Sequence, residues 1–296
     1  MDVNWGNMAS TTCPNVGIMQ GRLLPPVNGA IQAFPQERWK EEFPLAQKAG
    51  LYCIEWIFDN EKKGENPLST DQGVVDIRLL AEDCKVHVRS VCADYYMTHR
   101  LVCPDGTIDK LTVDHLFWLI NQIRNLGGEY VVLPFVDFSS LKTPIEVGGL
   151  ERLINEIIPG VEKQGVEIHL ETDLLPNVLA KIMDRVDHPL IRLNYDIGNS
   201  ASLGYDPNTE VSLLGEHLGS VHVKDRLLGG STVPLGEGNA DLPTSFGLLH
   251  QAKFGRWFIL QAARQKENEE MELTVKNRKL VERYCREATT YNSNSV

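Results

Sequence analysis

The sequence predicts a (β/α)8 barrel built as one α/β domain. Three observations predict it. Short apolar strand-like stretches alternate with amphipathic helical stretches eight times along the 296 residues, and such alternation pairs strands in parallel. The rhythm persists to the end of the chain, and eight units close into a barrel. No G-x-G-x-x-G phosphate loop follows the first strand, which counts against a doubly wound open sheet.

Taken in order, Val16-Gly17-Ile18-Met19 reads as the first strand, followed by Gln20-Gly21-Arg22 and a Pro25-Pro26 loop. Residues 36–49 read as a helix with Trp39, Phe43 and Ala46 on one face, stopped by Gly50. The second strand is 52–58. The helix 71–84 places Val74, Ile77, Leu80 and Ala81 at helical spacing. The third strand, 86–93, leads to an amphipathic helix at 109–126 that Gly127-Gly128 closes. The fourth strand is 130–135, with a helix at 145–163 ended by Gly165. A fifth strand lies in 166–174, then a helix at 176–186 and a sixth strand at 191–197. A short helix at 210–218, ended by Gly219, precedes the seventh strand at 220–224. The glycine-rich stretch 229–238 reads as a mobile lid over the barrel mouth or as a plain surface loop. A helix at 242–253, an eighth strand at 257–262 and a final helix at 269–287 complete the barrel. The expected divisions are an N-terminal extension at 1–14, the barrel at 15–288 and a frayed Asn/Ser-rich tail at 289–296.

The formal net charge is −11 and the pI about 5.2. A nucleic-acid partner normally requires a basic face, so this balance argues against one. It leaves room for a small anionic substrate held by a few local cations. The six cysteines are scattered with no CxxC pair, as expected of reduced thiols in a cytoplasmic protein. Residues 1–14 carry neither a basic n-region nor an apolar run, so no signal peptide is expected. No apolar stretch is long enough to span a membrane.

Chemistry gathers where the strands end. In 166–174 the side chains alternate, so His169, Glu171 and Asp173 share one side. A carboxylate on the inner face of a buried strand is costly unless something pairs with it. Three later strands also end in groups able to bind a metal: Asn194-Tyr195-Asp196, Val221-His222-Val223 and Ile259-Leu260-Gln261. Glu171, Asp196, His222 and Gln261 are therefore candidate ligands. Oxygen and imidazole donors without thiolates suit Mn2+, Mg2+ or Co2+, with Zn2+ compatible.

The chain resembles the sugar phosphate isomerase/epimerase family, the xylose-isomerase-like barrels that include ketose 3-epimerases, hydroxypyruvate isomerase and inosose dehydratase. The resemblance rests on Leu170-Glu171-Thr172-Asp173, Tyr195-Asp196-Ile197-Gly198-Asn199, His222-Val223-Lys224-Asp225 and Pro234-Leu235-Gly236-Glu237-Gly238-Asn239. Met19-Gln20-Gly21-Arg22-Leu23 and Ile54-Glu55-Trp56 add to it. It implies a divalent metal at the C-terminal mouth, held by a glutamate, an aspartate, a histidine and a second glutamate after strands five to eight. Glu171, Asp196 and His222 match the first three. The fourth place holds Gln261, and Asn199 stands where many members have a histidine. Family members with two glutamates divide proton removal and return between strands five and eight. An amide cannot do this, which puts two-base epimerisation in doubt.

The resemblance implies a divalent-metal-dependent isomerase or epimerase of a small sugar, sugar phosphate or polyol. It would remove a proton next to a carbonyl, with Glu171 as base and Lys224 or Gln261 beside it. An inosose-dehydratase-like lyase and a degenerate carbohydrate-binding barrel without activity are the alternatives. Arg22, Glu55, Asn199, Arg226 and Glu237 are candidate substrate contacts. Each has an ordinary reading too: a surface arginine for Arg22 and Arg226, a structural pair for Glu55. His169 reads as packing or support for a ligand, and Tyr95-Tyr96 as a sugar platform or rim packing. The expected partner is a small carbohydrate, with neither nucleic acid nor membrane; association into a homo-oligomer stays open.

Overall fold

The computed structural model describes residues 15–59, 63–264 and 268–293. The extension at 1–14 and the last three residues of the expected tail lie outside them. Eight parallel strands close a barrel: β1 (Asn15–Met19), β2 (Cys53–Ile57), β3 (His87–Cys92), β4 (Tyr130–Phe135), β5 (Glu167–Thr172), β6 (Ile191–Asp196), β7 (Leu218–Val223) and, after a short antiparallel ribbon of β8 (Asp225–Arg226) and β9 (Thr232–Val233), β10 (Trp257–Leu260). Around the ring the order is β1-β10-β7-β6-β5-β4-β3-β2. The outer layer is α1 (Glu42–Ala49), α2 (Asp71–Cys84), the short α3 (Tyr95–Thr98), α4 (Lys110–Leu126), α5 (Pro144–Gln164), α6 (Pro176–Val186), α7 (Ile197–Leu203), α8 (Pro207–Leu214), α9 (Leu242–Gln251) and α10 (Glu270–Ser293). Side-chain caps set several helix starts. Asp109 accepts from Thr112 N to open α4, and Thr143 and Glu146 form a reciprocal capping box at α5.

The boundaries shift at three places. The helix expected from 36 begins at Glu42, after a 3-10 turn over Trp39–Glu41. Pro44 explains this, because its missing N–H is harmless only in a helix's first turn. The helix expected at 210–218 ends at Leu214, and Gly219 lies inside β7. This glycine makes room rather than stopping a helix: a Cβ there would stand 2.4 Å from His169 Nε2. The final helix continues to Ser293, through the start of the segment expected to fray.

The barrel interior is polar toward the mouth. Glu55, Ser90, His169, Ser220 and His222 are all fully buried, and each has a hydrogen-bonding partner, as burial of such groups requires. The outer face of the strands packs on the helices through Val131, Ile168, Leu193 and Val221.

Candidate active site

Glu171, Asp196 and His222 converge at the C-terminal end of the barrel, with one ligand atom from each lying within 4.8 Å of the others. The strand register explains this, because Asp196 on β6 pairs directly with His222 on β7. Glu171 stands near the end of the adjoining β5. His222 Nε2 is 2.7 Å from Glu55 Oε1, so that edge of the ring is taken. Its Nδ1 is buried with no hydrogen-bond partner among the described residues, 3.4 Å from Glu171 Oε2 and 3.9 Å from Asp196 Oδ2. An unpartnered imidazole nitrogen facing two carboxylates, its far side held by a third, is the donor set a divalent cation takes. Burial alone would lower the His222 pKa; the Glu55 and Glu171 carboxylates outweigh it and push it up to about 10. Burial would raise Glu171, but His222 and Lys224 hold it below the usual carboxylate range.

Glu171 is oriented by two amides. Asn194 Nδ2 donates to Oε2 at 3.0 Å and Asn199 Nδ2 to Oε1 at 2.8 Å. Asp196 caps α7 by accepting from Asn199 N at 2.8 Å, and its other oxygen accepts from Lys224 Nζ at 3.0 Å. Lys224 also donates to Gln261 Oε1 at 3.0 Å. Gln261 thus lies beside the three candidate ligands with its oxygen turned to Lys224, and its Nε2 donates to Gln32 Oε1 at 2.9 Å.

The remaining expected contacts divide. Arg22 is buried, donates from Nη2 to Gln32 Oε1 at 3.2 Å, and leaves Nε and Nη1 without partners among the described residues. Burial and the neighbouring Arg264 lower its pKa to about 9. Arg226 spends its guanidinium on Gly230 O and Asn199 Oδ1, tying the loop to α7. Glu55 is fully buried, its oxygens on His222 and Ser90, beneath the mouth rather than in it. Glu237 is exposed on its loop. His169 stacks on Tyr130 with ring centroids 4.0 Å apart and contacts Ser220, which donates to Asn194; it supports Glu171 at two removes. Tyr95 and Tyr96 are buried against His115 in the helical layer, which makes them packing groups.

The loop at 229–238 is anchored, not a free lid. The Asp225 carboxylate accepts from the backbone N–H groups of Gly236, Gly238 and Ala240 at 2.9–3.0 Å. A Cβ at Gly238 would stand 2.1 Å from Asp225 Oδ1. Two mouth residues are not among the sequence candidates. Asp94 lies just past β3, and its Oδ2 accepts from Gln32 Nε2 at 2.7 Å. The rule that selects Asp196, a carboxylate at the C-terminal end of a barrel strand, extends to Asp94, two residues past the end of β3. Gln32 sits in an irregular loop and carries no such signal.

This chain belongs to the xylose isomerase-like TIM barrel family, whose model matches residues 43–282. It is 24% identical over 234 residues to the L-ribulose-5-phosphate 3-epimerase UlaE of Shigella flexneri serotype 5b (strain 8401), covering 76% of this chain and 82% of that one. A solved L-ribulose 3-epimerase superposes with a TM-score of 0.72 at 16% identity, over 96% of this chain and 98% of the other. The IOLI protein with a bound zinc atom superposes at 0.66 and 17% identity, over 93% and 96%. Among the described residues, no helix is long and apolar enough to cross a membrane.

Proposed function

We propose that this protein is a divalent-metal-dependent epimerase or isomerase of a small ketose or ketose phosphate. The observation that carries the reading is the trio Glu171, Asp196 and His222, with a buried His222 Nδ1 that has no partner. Support comes from the family, from relatives named as L-ribulose-5-phosphate and L-ribulose 3-epimerases, and from the zinc-bearing relative. A cation held by the three residues would supply Lewis acidity for the substrate oxygens and stabilise negative charge beside the carbonyl. Glu171 removes the proton next to the carbonyl, its carboxylate aimed by Asn194 and Asn199. Lys224 holds a positive charge between Asp196 and Gln261, where developing oxyanion charge is stabilised. Arg22, whose Nε and Nη1 have no hydrogen-bond partner among the described residues, serves an anionic end of the substrate. Gln261, which cannot carry a proton, favours a second reading: one-base chemistry through Glu171, as isomerisation or loss of water.

The test is metal content together with turnover of L-ribulose 5-phosphate and L-ribulose in D2O with Mn2+. Wild type should hold about one divalent ion per chain and introduce deuterium beside the carbonyl. His222→Ala should lose most of the metal. Equal occupancy in both removes His222 from the site. A bound sugar with no exchange and no metal identifies a binding barrel, and product lighter by one water identifies a lyase.

A further inference from the structure

The two oxygens of Glu171 are held by different parts of the fold. Oε2 is the oxygen that faces His222 Nδ1, at 3.4 Å, and it accepts from Asn194 Nδ2 at 3.0 Å. Behind Asn194 stands the barrel interior: Ser220 donates to Asn194 Oδ1 at 2.8 Å, and His169 Nδ1 lies 2.8 Å from Ser220 Oγ. Oε1 accepts from Asn199 Nδ2 at 2.8 Å. Behind Asn199 stands Arg226, whose Nη1 donates to Asn199 Oδ1 at 2.8 Å.

Arg226 is fixed from both ends. Its backbone belongs to β8, which pairs with β9. Its Nε and Nη2 both donate to Gly230 O, at 3.1 and 2.8 Å, so the planar guanidinium presents Nη1 in one direction. A guanidinium only donates, and a carboxylate only accepts. Asn199, standing between them, therefore has one orientation, with its oxygen to Arg226 and its NH2 to Glu171. The positive charge on one side of the amide strengthens the bond it gives on the other. Without Arg226, the Asn199 side chain loses the partner that keeps its NH2 on Glu171.

We propose that Arg226 is a positioning residue for the base, acting through Asn199 to hold the Glu171 carboxylate so that Oε2 stays on the His222 side and Oε1 is left to take the proton. The inference rests on the epimerase or isomerase reading above. At Oε1 an O–H bond forms as the C–H bond next to the carbonyl breaks, and the C–H electron pair passes into the enediolate. This role differs from the substrate grip that the sequence suggests for Arg226, and the two give different kinetics.

The experiment measures kcat and KM for L-ribulose 5-phosphate and L-ribulose at saturating Mn2+ in wild type, Arg226→Ala, Asn199→Ala and the double variant, and titrates Mn2+ into each by calorimetry. Asn199→Ala keeps the α7 cap, which Asn199 makes through its backbone N–H. It reads the same line from the other end if Arg226→Ala does not fold. Each single variant should lose about 10–100-fold in kcat on both sugars, the range for a partner that orients a candidate ligand, with KM and Mn2+ affinity near wild type. The double variant should lose no more than the worse single one, because both changes cut one line. A KM raised only for the phosphate in Arg226→Ala makes Arg226 a substrate contact and overturns the proposal. Losses that multiply in the double variant overturn it as well, since Arg226 then acts independently of Asn199. So does Mn2+ affinity that falls in step with kcat, or a kcat unchanged in either single variant. A wild type that turns over neither sugar overturns the functional reading and this inference with it.

Discussion

At the scale of single residues, the contact between His222 and Glu55 decides how the site can bind a cation. The carboxylate fixes the ring edge at Nε2 and turns Nδ1 toward Glu171 and Asp196. Partners of this kind contribute about 10–100-fold in metal affinity when removed. Glu55→Gln should therefore weaken Mn2+ binding by that order in calorimetric titration while leaving the fold intact, and unchanged affinity would relegate Glu55 to barrel packing. Arg22 carries a separate expectation. Loss of a charge-assisted hydrogen bond of ~1.5–3 kcal/mol should raise KM for L-ribulose 5-phosphate by roughly tenfold or more in Arg22→Ala. L-Ribulose should be much less affected, and equal effects on both would show that Arg22 only braces Gln32. The three candidate ligands were legible in the sequence because strand parity places each of them at an inward strand end. Asp94 obeys the same rule but is followed by Tyr95-Tyr96, which draws the eye to stacking. Gln32 was not legible, since it meets Asp94 across 62 residues and Gln261 across 229, and loop residues have no periodicity to betray such contacts.

At the scale of elements, the stretch after β7 shows how one side chain can hold a loop. Asp225 accepts three backbone N–H bonds from 236–240, and Arg226 crosses to Gly230 and Asn199. Of the glycines that suggest mobility, Gly238 is instead a site of close approach to the Asp225 oxygen, while Gly229 and Gly236 serve positive φ. Asp225→Ala strips acceptors from three amides at once. Hydrogen exchange at 228–240 should accelerate at least tenfold in that variant, with barrel strands unaffected, since a charge-assisted bond is worth ~1.5–3 kcal/mol. Exchange confined to wild-type rates would mean the ribbon holds itself. The same ambiguity misled the reading of Gly219. A glycine after an apolar helical run signals a helix end, yet here the missing Cβ admits the His169 ring beneath β7. Which of the two a glycine serves depends on a neighbour 50 residues away, and local sequence does not contain it.

At the scale of the whole molecule, the barrel was legible because its signal is repeated: eight apolar strands, each followed by a helix with its own face and stop. What repetition cannot show is the charge carried inside, and the pH dependence of stability follows from that. Glu42, at the start of α1, accepts from Gly21 N while fully buried. Burial outweighs its hydrogen bonds and the nearby Arg264 and raises its pKa from 4.5 to about 8. Burial likewise raises Glu210 to about 7, against hydrogen bonds from Ser200 and Tyr195. For a group whose folded pKa is raised, the stabilisation is complete below the unfolded value and is lost as pH climbs through the folded one. His222, at about 10, has the same sign above 6.5. Glu167, lowered to about 2, has finished titrating by pH 6.5; His169, lowered to about 4, acts in the opposite direction only while the unfolded imidazole titrates around 6.5. Between pH 6.5 and 8 the three raised groups together outweigh that fading contribution. The melting temperature of the metal-free protein should fall across that interval in scanning calorimetry. Glu42→Gln, which keeps an acceptor for Gly21 but cannot ionise, should remove roughly 2 kcal/mol of the decline, about 1.4 kcal/mol for each pH unit a single group spans. A decline equally steep in Glu42→Gln would mean that Glu42 ionises freely in the folded protein, and that another group, Glu210 or His222, sets the slope.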